Sequence, residues 1–558
     1  MPQRTPTPDV HTTPPDTHVA PAADASVAVA APHEDPPAPG PARDVHLPEI
    51  RRARLPNGLE VNHVEYHTLP VLHLRLAVRA GLAADPANLP GLSSFTGDML
   101  NEGTRAHTSA QLAEAIEFVG GALDITTSND TTTVSVVVLK DHAETALSLL
   151  AEVIADPTFP QTEIEKLRRR ELDRLERSQN DPGWLSRRAY NQALYGAQHP
   201  YAHVDTTPEA LRRMTRNDLV AFHRARYVAG NMSLVAVGDI TAADLDRLLG
   251  RTLGRVRAGT VPAVQLPDPP ALAARQVILV DRPGSQQSVV RIGNATLRRA
   301  DDDYVPFSVT NHVLGGGAAS RLFMDLREIR SLTYGAYARQ TDTLGRGNWF
   351  VGGSVRTPAT GDALHAFMRH VECMTTDAPP DPEMAQGRSY LIDSFPLSIE
   401  TPGNIADLIT GLRVYGLSDD YYDRYRSRVG QVDGATVLQL AQRYIHPDHA
   451  LVVVVGTADA PVQVGPACAA LASLPAEASF GQQVAACATP HEGDAPRQTQ
   501  PLQEVLRGFG PVRVVNLRGE TVRELTATEP SATPLRARCA DLATPALQQL
   551  SHHEPAGR

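Results

Sequence analysis

Patterned order begins near Leu47, where apolar side chains start to recur at fixed spacings. Residues 59–66 and 71–80 read as strands. In Val71-Leu-His-Leu-Arg-Leu-Ala-Val the apolar positions alternate as they do in a half-buried strand. Helical spacing follows over 91–101 and again over 109–119, where Thr108-Ser109 supplies a start signal ahead of Leu112, Ala115, Ile116 and Val119. Residues 124–127 and 131–139 read as a strand pair turning at Asn129-Asp130, and long helices are predicted over 141–154 and 161–178.

A proline-rich stretch at 255–275, with Val261-Pro262, Leu266-Pro267 and Pro269-Pro270, interrupts this series. The same order of elements then restarts, with strands at 276–281 and 288–293, a helix from about Asp303 and a strand pair around 335–355. Both series close alike. Arg226-Tyr227-Val228 leads into Leu234-Val-Ala-Val-Gly238, and Arg443-Tyr444-Ile445 leads into Leu451-Val-Val-Val-Val-Gly456. The copies lie too far apart for a solenoid and suit a duplicated α+β domain. After residue 457 a helix over 502–506 and a strand over 512–517 complete the second domain. The expected organisation is a disordered segment (1–45), a first domain (46–254), a linker (255–275), a second domain (276–522) and a flexible tail (523–558).

Composition narrows the function classes. The 558 residues are too many for one core. No run approaches the ~20 apolar residues that span a bilayer. With 52 basic and 63 acidic residues the net charge is −11, so there is no footprint for nucleic acid. The basic cluster at Lys166–Arg170 falls within a helical pattern and reads as a solvated face. Residues 1–45, rich in Pro, Ala, Thr and Asp, have no periodicity, and Val19–Ala31 is broken by Pro21 and Asp24, unlike a secretory signal. The expected compartment is cytoplasmic, or periplasmic if a signal precedes the given start. Cys373, Cys468, Cys487 and Cys539 form no C-x-x-C pair. Free thiols are expected, with one disulfide among the last three as the alternative.

Pro90-Gly-Leu-Ser-Ser-Phe-Thr-Gly-Asp-Met-Leu-Asn-Glu-Gly-Thr104 resembles the zinc helix of the insulinase/pitrilysin (inverzincin) metallopeptidases, which reads roughly G-L-A-H-F-L-E-H-M-L-F-K-G-T. In that family H-x-x-E-H sets two zinc-binding His on one helical face, with Glu as general base toward the metal-bound water. Here the first His position is Ser94, the Glu position is Gly97 and the second His position is Asp98. The family's third ligand is a Glu on a later helix; counting back from Asp181-Pro182 puts Arg174 there, a fixed cation that would repel Zn²⁺. Gly120-Gly121, Ala155-Asp-Pro-Thr-Phe159 and Tyr195-Gly-Ala-Gln-His-Pro-Tyr201 keep the family pattern, and the resemblance covers roughly residues 50–520. It implies an α+β fold of two duplicated α/β-sandwich domains, each a mixed sheet with helices on one face, facing each other as in half a clamshell.

The second half carries Leu314-Gly-Gly-Gly-Ala-Ala-Ser-Arg-Leu-Phe323 and then Leu326-Arg-Glu-Ile-Arg-Ser-Leu-Thr-Tyr-Gly335. The resemblance identifies Arg327 and Tyr334 as the pair that reaches across to hold the scissile peptide and its developing oxyanion, a task suited to a fork of donors and a neutral O–H. Blander readings stand beside these. Gly315-Gly316-Gly317 lacks the G-K-[ST] of a phosphate loop. His73, His199 and His203 as a substitute metal site, and Ser94 with Asp98 as a serine nucleophile, have no supporting pattern. The resemblance therefore implies a chain with no zinc and no activity of its own. It would bind peptide and complete the active site of a zinc-binding insulinase-family partner in a heterodimer. The competing expectation is an inactive homologue with a structural or peptide-binding role only.

Overall fold

Two mixed sheets, built twice from one plan, organise the chain. The computed structural model describes residues 45–464, 498–529 and Cys539. The first sheet contains β1 (Arg51–Arg54), β2 (Glu60–Glu65), β3 (Val71–Val78), β4 (Ala122–Thr127), β5 (Thr132–Leu139) and β6 (Met232–Gly238), in the order β1-β2-β6-β3-β5-β4. The second half supplies β7 (Gln276–Asp281), β8 (Gln287–Ala295), β9 (Thr333–Gln340), β10 (Asn348–Arg356) and β11 (Leu451–Gly456). β12 (Pro461–Val464) and β13 (Gln498–Pro501) pair separately, and β14 (Val512–Val515) and β15 (Thr521–Leu525) extend the second sheet to the order β15-β14-β7-β11-β8-β10-β9.

The five-strand units β2-β6-β3-β5-β4 and β7-β11-β8-β10-β9 are equivalent. β6 runs parallel to β2 and antiparallel to β3, as β11 does to β7 and β8. The two Arg-Tyr repeats lead into β6 and β11, whose continuous apolar runs are buried on both faces, as central strands require. The fold is thus the duplicated α+β arrangement, with each half's own helices on one face of its sheet.

The second faces hold an exchange that periodicity does not reveal. Helix Pro182–Tyr195, from the first half, lies on β8 and β11 of the second sheet, where the Tyr190 hydroxyl donates to the Trp349 carbonyl at 2.8 Å. Helix Pro402–Tyr415, from the second half, lies on β3 and β6 of the first sheet. It is fastened there by Arg75 Nε to Asp407 at 3.0 Å and by Arg413 Nε to Asn62 Oδ1 at 2.6 Å. Each half thereby covers part of the other, and the described residues from Val45 onward group as one unit.

Two features differ from expectation. Cys373 and Cys539 form a disulfide, so the expected free thiols are corrected at these positions, and the pairing reaches outside the three late cysteines. Spacing alone cannot give cysteine connectivity. Cys468 and Cys487 lie outside the described residues, as do 1–44 and most of the expected tail. The boundary at 522 falls inside β15, which continues to Leu525, and Thr528 N donates to the Arg507 carbonyl at 3.0 Å. No described helix is long and apolar enough to cross a membrane.

Candidate functional site

The degenerate motif occupies a short helix, Leu92–Asp98, whose entry is tightly determined. Gly91 sits at φ 85°, and a Cβ there would lie 2.3 Å from Thr206 Cβ, so only glycine fits. The Gly91 and Ser93 amides donate to the Asp85 carboxylate at 2.6 and 2.7 Å, satisfying donors that a helix start leaves free. Ser94 and Asp98, four residues apart, share one half-buried face. At the general-base position the helix closes onto the sheet. A Cβ on Gly97 would sit 3.0 Å from Thr127 Oγ1 and 3.2 Å from Thr132 Cγ2, so any side chain there requires these threonines to give by a few tenths of an ångström.

Helix Gln161–Ser178 brings Arg174 to this face, and Arg174 does not stand alone. Its Nε donates to Glu171 Oε2 at 2.7 Å, while Nη1 and Nη2 form a two-pronged pair with Asp205, both at 2.7 Å. Burial, then the nearby Glu171, raises the Asp98 carboxyl to about 6, against which Arg174 and Arg170 pull downward. Two carboxylates thus pair with one guanidinium, whose charge is permanent and also acts on Asp98. A family member would hold Zn²⁺ at these positions. A hydroxyl, a bare glycine, a crowded carboxyl and an arginine already committed to two acids do not fit that ion. Among the described residues no three His, Cys, Asp or Glu side chains are grouped to hold a metal.

Asp98 gives a pH test. Its folded value, about 6, lies above the ordinary 3.8, so the folded state binds the extra proton. Stability contributed by that proton is present at low pH and lost as pH rises from about 4 through 6. Asp98→Asn should therefore raise stability by about 1–3 kcal/mol at pH 8 and change it little near pH 4, read by thermal unfolding at both. An equal effect at the two pH values would contradict the assignment.

The histidines considered as a substitute site are not grouped to hold a metal among the described residues, and His199 has structural partners of its own. His199 Nδ1 accepts from the Tyr201 amide at 3.0 Å, and its Nε2 donates to the Pro267 carbonyl at 2.8 Å, tying down the proline connector. His73 packs on β3 beside Gly403, and burial lowers both His73 and His203.

Arg327 and Tyr334 lie on an unusual backbone. Arg327 is in a π-helical turn, Met324–Ile329, and Ser331 takes φ 52°, a conformation that non-glycine residues rarely adopt. Both features concentrate at functional sites. The β9–β10 register then shifts: Gly353 faces Ala336 but Val355 faces Thr333, so Tyr334 and Gly335 together oppose Ser354. Such a bulge re-aims a side chain, and Tyr334 is 90% exposed. Arg327 stacks over Phe323 at 4.6 Å and, among the described residues, pairs with Glu328 at 3.4 Å. The frame beneath is buried and charged. Arg321 donates two 2.7 Å bonds to Glu383, and Asp325 accepts from Arg330 at 2.7 Å and pairs with His370 at 2.8 Å. Burial opposes the Asp325 charge, but Arg330 and His370 hold its carboxyl below the usual range. Glu171 lies three residues before Arg174 on one helix face, a signal that could have been read in advance; Asp205, Asp325 and Glu383 offer no comparable one.

Residues 64–201 match the model of the insulinase family (peptidase family M16), and residues 213–391 match that of the peptidase M16 inactive domain. An uncharacterized zinc protease of Mycobacterium leprae is 26% identical over 398 residues, 70% of this chain and 87% of that protein. The non-peptidase homolog YmxG of Helicobacter pylori is 24% identical over 357 residues, 63% of this chain and 80% of its own length. The crystal structure of a peptidase M16 inactive domain from Pseudomonas fluorescens superposes with a TM-score of 0.70 at 26% identity, covering 73% of this chain and 98% of that one.

Proposed function

Because the chain belongs to the insulinase family (peptidase family M16) and holds Ser94, Gly97, Asp98 and Arg174 at the zinc-motif positions, we propose that it is a non-catalytic subunit of a heteromeric zinc peptidase. Its partner is an insulinase-family chain with an intact His-x-x-Glu-His helix, and the zinc belongs to that partner. This chain contributes half of the peptide chamber together with Arg327 and Tyr334, which hold the scissile peptide and its developing oxyanion. Peptide is held in part by strand addition at a sheet edge. The observation that carries the reading is the contrast between the two halves. The metal position is filled by an arginine–carboxylate cluster, while Tyr334 and Arg327 remain exposed on a specially shaped backbone. In the test, each chain is assayed alone and then mixed. Peptidase activity that appears only in the mixture is expected; full activity of the zinc-bearing chain alone would overturn the proposal.

A second reading, an inactive homologue that binds peptide or supports a complex without any part in proteolysis, is favoured by one relative's name, non-peptidase homolog. It predicts association with the partner and no change in turnover. Stoichiometric zinc in the purified lone chain would contradict both.

A further inference from the structure

The face of the second sheet that carries helix Pro182–Tyr195 over β8 and β11 has a charge pattern that the family match does not explain. Helix Pro182–Tyr195 and strands β8, β9 and β10 carry Arg187, Arg188, Arg291, Arg339 and Arg356 and not one Asp or Glu, in a chain with 63 acidic residues. Register places Arg291, Arg339 and Arg356 on the face turned away from the second half's own helices. Arg291, Gly352 and Tyr337 are consecutive across β8, β10 and β9; in the adjoining row Gly293, Phe350 and Arg339 are consecutive. Tyr334 opposes Ser354, two residues from the exposed Arg356 on the same side of β10. The Arg291 guanidinium rests 3.7 Å over the Phe350 ring, and that of Arg339 lies 5.3 Å from the Tyr337 ring. Burial lowers Arg291, and the neighbouring Arg187 adds repulsion.

Among the described residues none of Arg187, Arg291, Arg339 or Arg356 forms an ion pair. Elsewhere in this chain arginines are commonly paired with acids, as Arg174, Arg321 and Arg413 are. An uncompensated guanidinium held on aromatic rings is already oriented, so it loses little freedom on meeting an anion. Successive strands lie about 4.8 Å apart, which puts Arg291 roughly 10 Å from β9, within the span of a short extended peptide whose backbone sits at Tyr334.

We infer that this face selects peptides carrying acidic side chains near the segment held at Arg327 and Tyr334, with Arg291, Arg339 and Arg356 as the specificity-determining residues. The inference rests on the peptide-holding role proposed above and adds the substrate class.

The test uses the full chain and dye-labelled extended peptides of one sequence that differ only in carrying Glu, Gln or Lys at the variable positions, with affinity read by fluorescence anisotropy. The Glu peptide should bind about tenfold more tightly than the Gln peptide and the Lys peptide most weakly. The preference should shrink as salt rises. In Arg291→Gln and in Arg356→Gln the Glu preference should fall while affinity for the Gln peptide holds. Arg356 is exposed, so its variant remains informative even if Arg291→Gln, which loses the Phe350 stack, proves unstable. Equal affinity for Glu and Gln peptides, a preference that survives in both variants, or no peptide binding at all would each overturn the charge selection. The subunit role is read separately, by activity of the mixed chains, so selection can fail while that role stands.

Discussion

Alanine at Arg327 should lower peptide turnover by the reconstituted pair about 10²-fold or more while leaving association of the chains unchanged. Loss of one donor to a developing oxyanion costs on the order of 10²–10³ in kcat, because the charge it stabilises exists only in the transition state. The structural cost is small by contrast. Arg327 is 45% exposed, its contacts among the described residues are the Phe323 ring and an adjacent Glu328, and no buried partner among them is stranded by its removal. The variant's stability should stay within about 0.5 kcal/mol of the parent. Arg327→Lys keeps the charge but loses the planar fork, so it should restore only part of the activity. Turnover unchanged by alanine, with the complex intact, would leave only the structural reading.

The largest stability effect is expected at Glu383. Arg321 and Glu383 have side chains only 2% and 6% exposed and meet through two 2.7 Å bonds. Glu383→Ala strands a buried guanidinium, one of whose nitrogens, Nη1, already has no partner, and should cost about 3–5 kcal/mol in urea unfolding. Because Arg321 begins the segment that runs into the π-helical turn, the same substitution should loosen the seat of Arg327. The double change Arg321→Met with Glu383→Leu removes both charges and should recover much of the loss, since a buried pair is weak evidence of net stabilisation. A cost below about 1 kcal/mol for Glu383→Ala would show that water reaches the pair.

How much of this was legible depends on the range of the interaction. β6 and β11 could be read because an unbroken apolar run ending in Gly reports burial on both faces locally. Ser94, Gly97, Asp98 and Arg174 could be placed because a helical motif has fixed spacing. That Arg174 would be neutralised by Asp205, from a loop 31 residues later, could not, since loops obey no period. The π-helical turn under Arg327 has no residue signature, and its buried anchors, Glu383 and His370, come from two later helices. Helix Pro182–Tyr195 announces itself with a proline in its first turn, yet nothing local says that it belongs on the other half's sheet.

That exchange of helices sets the order in which the protein can be made. The ribosome releases β3 and β6 long before it reaches Pro402–Tyr415, the helix that covers them. At about 5–20 residues per second the nascent first half waits many seconds with that sheet face, Val235, Val237 and Ala77 included, uncovered. Contacts joined across so much sequence also close slowly. A polypeptide stopped at the proline connector therefore lacks more than its second domain: it is an unfinished first one, and cells making it should hold it on chaperones or lose it to aggregation.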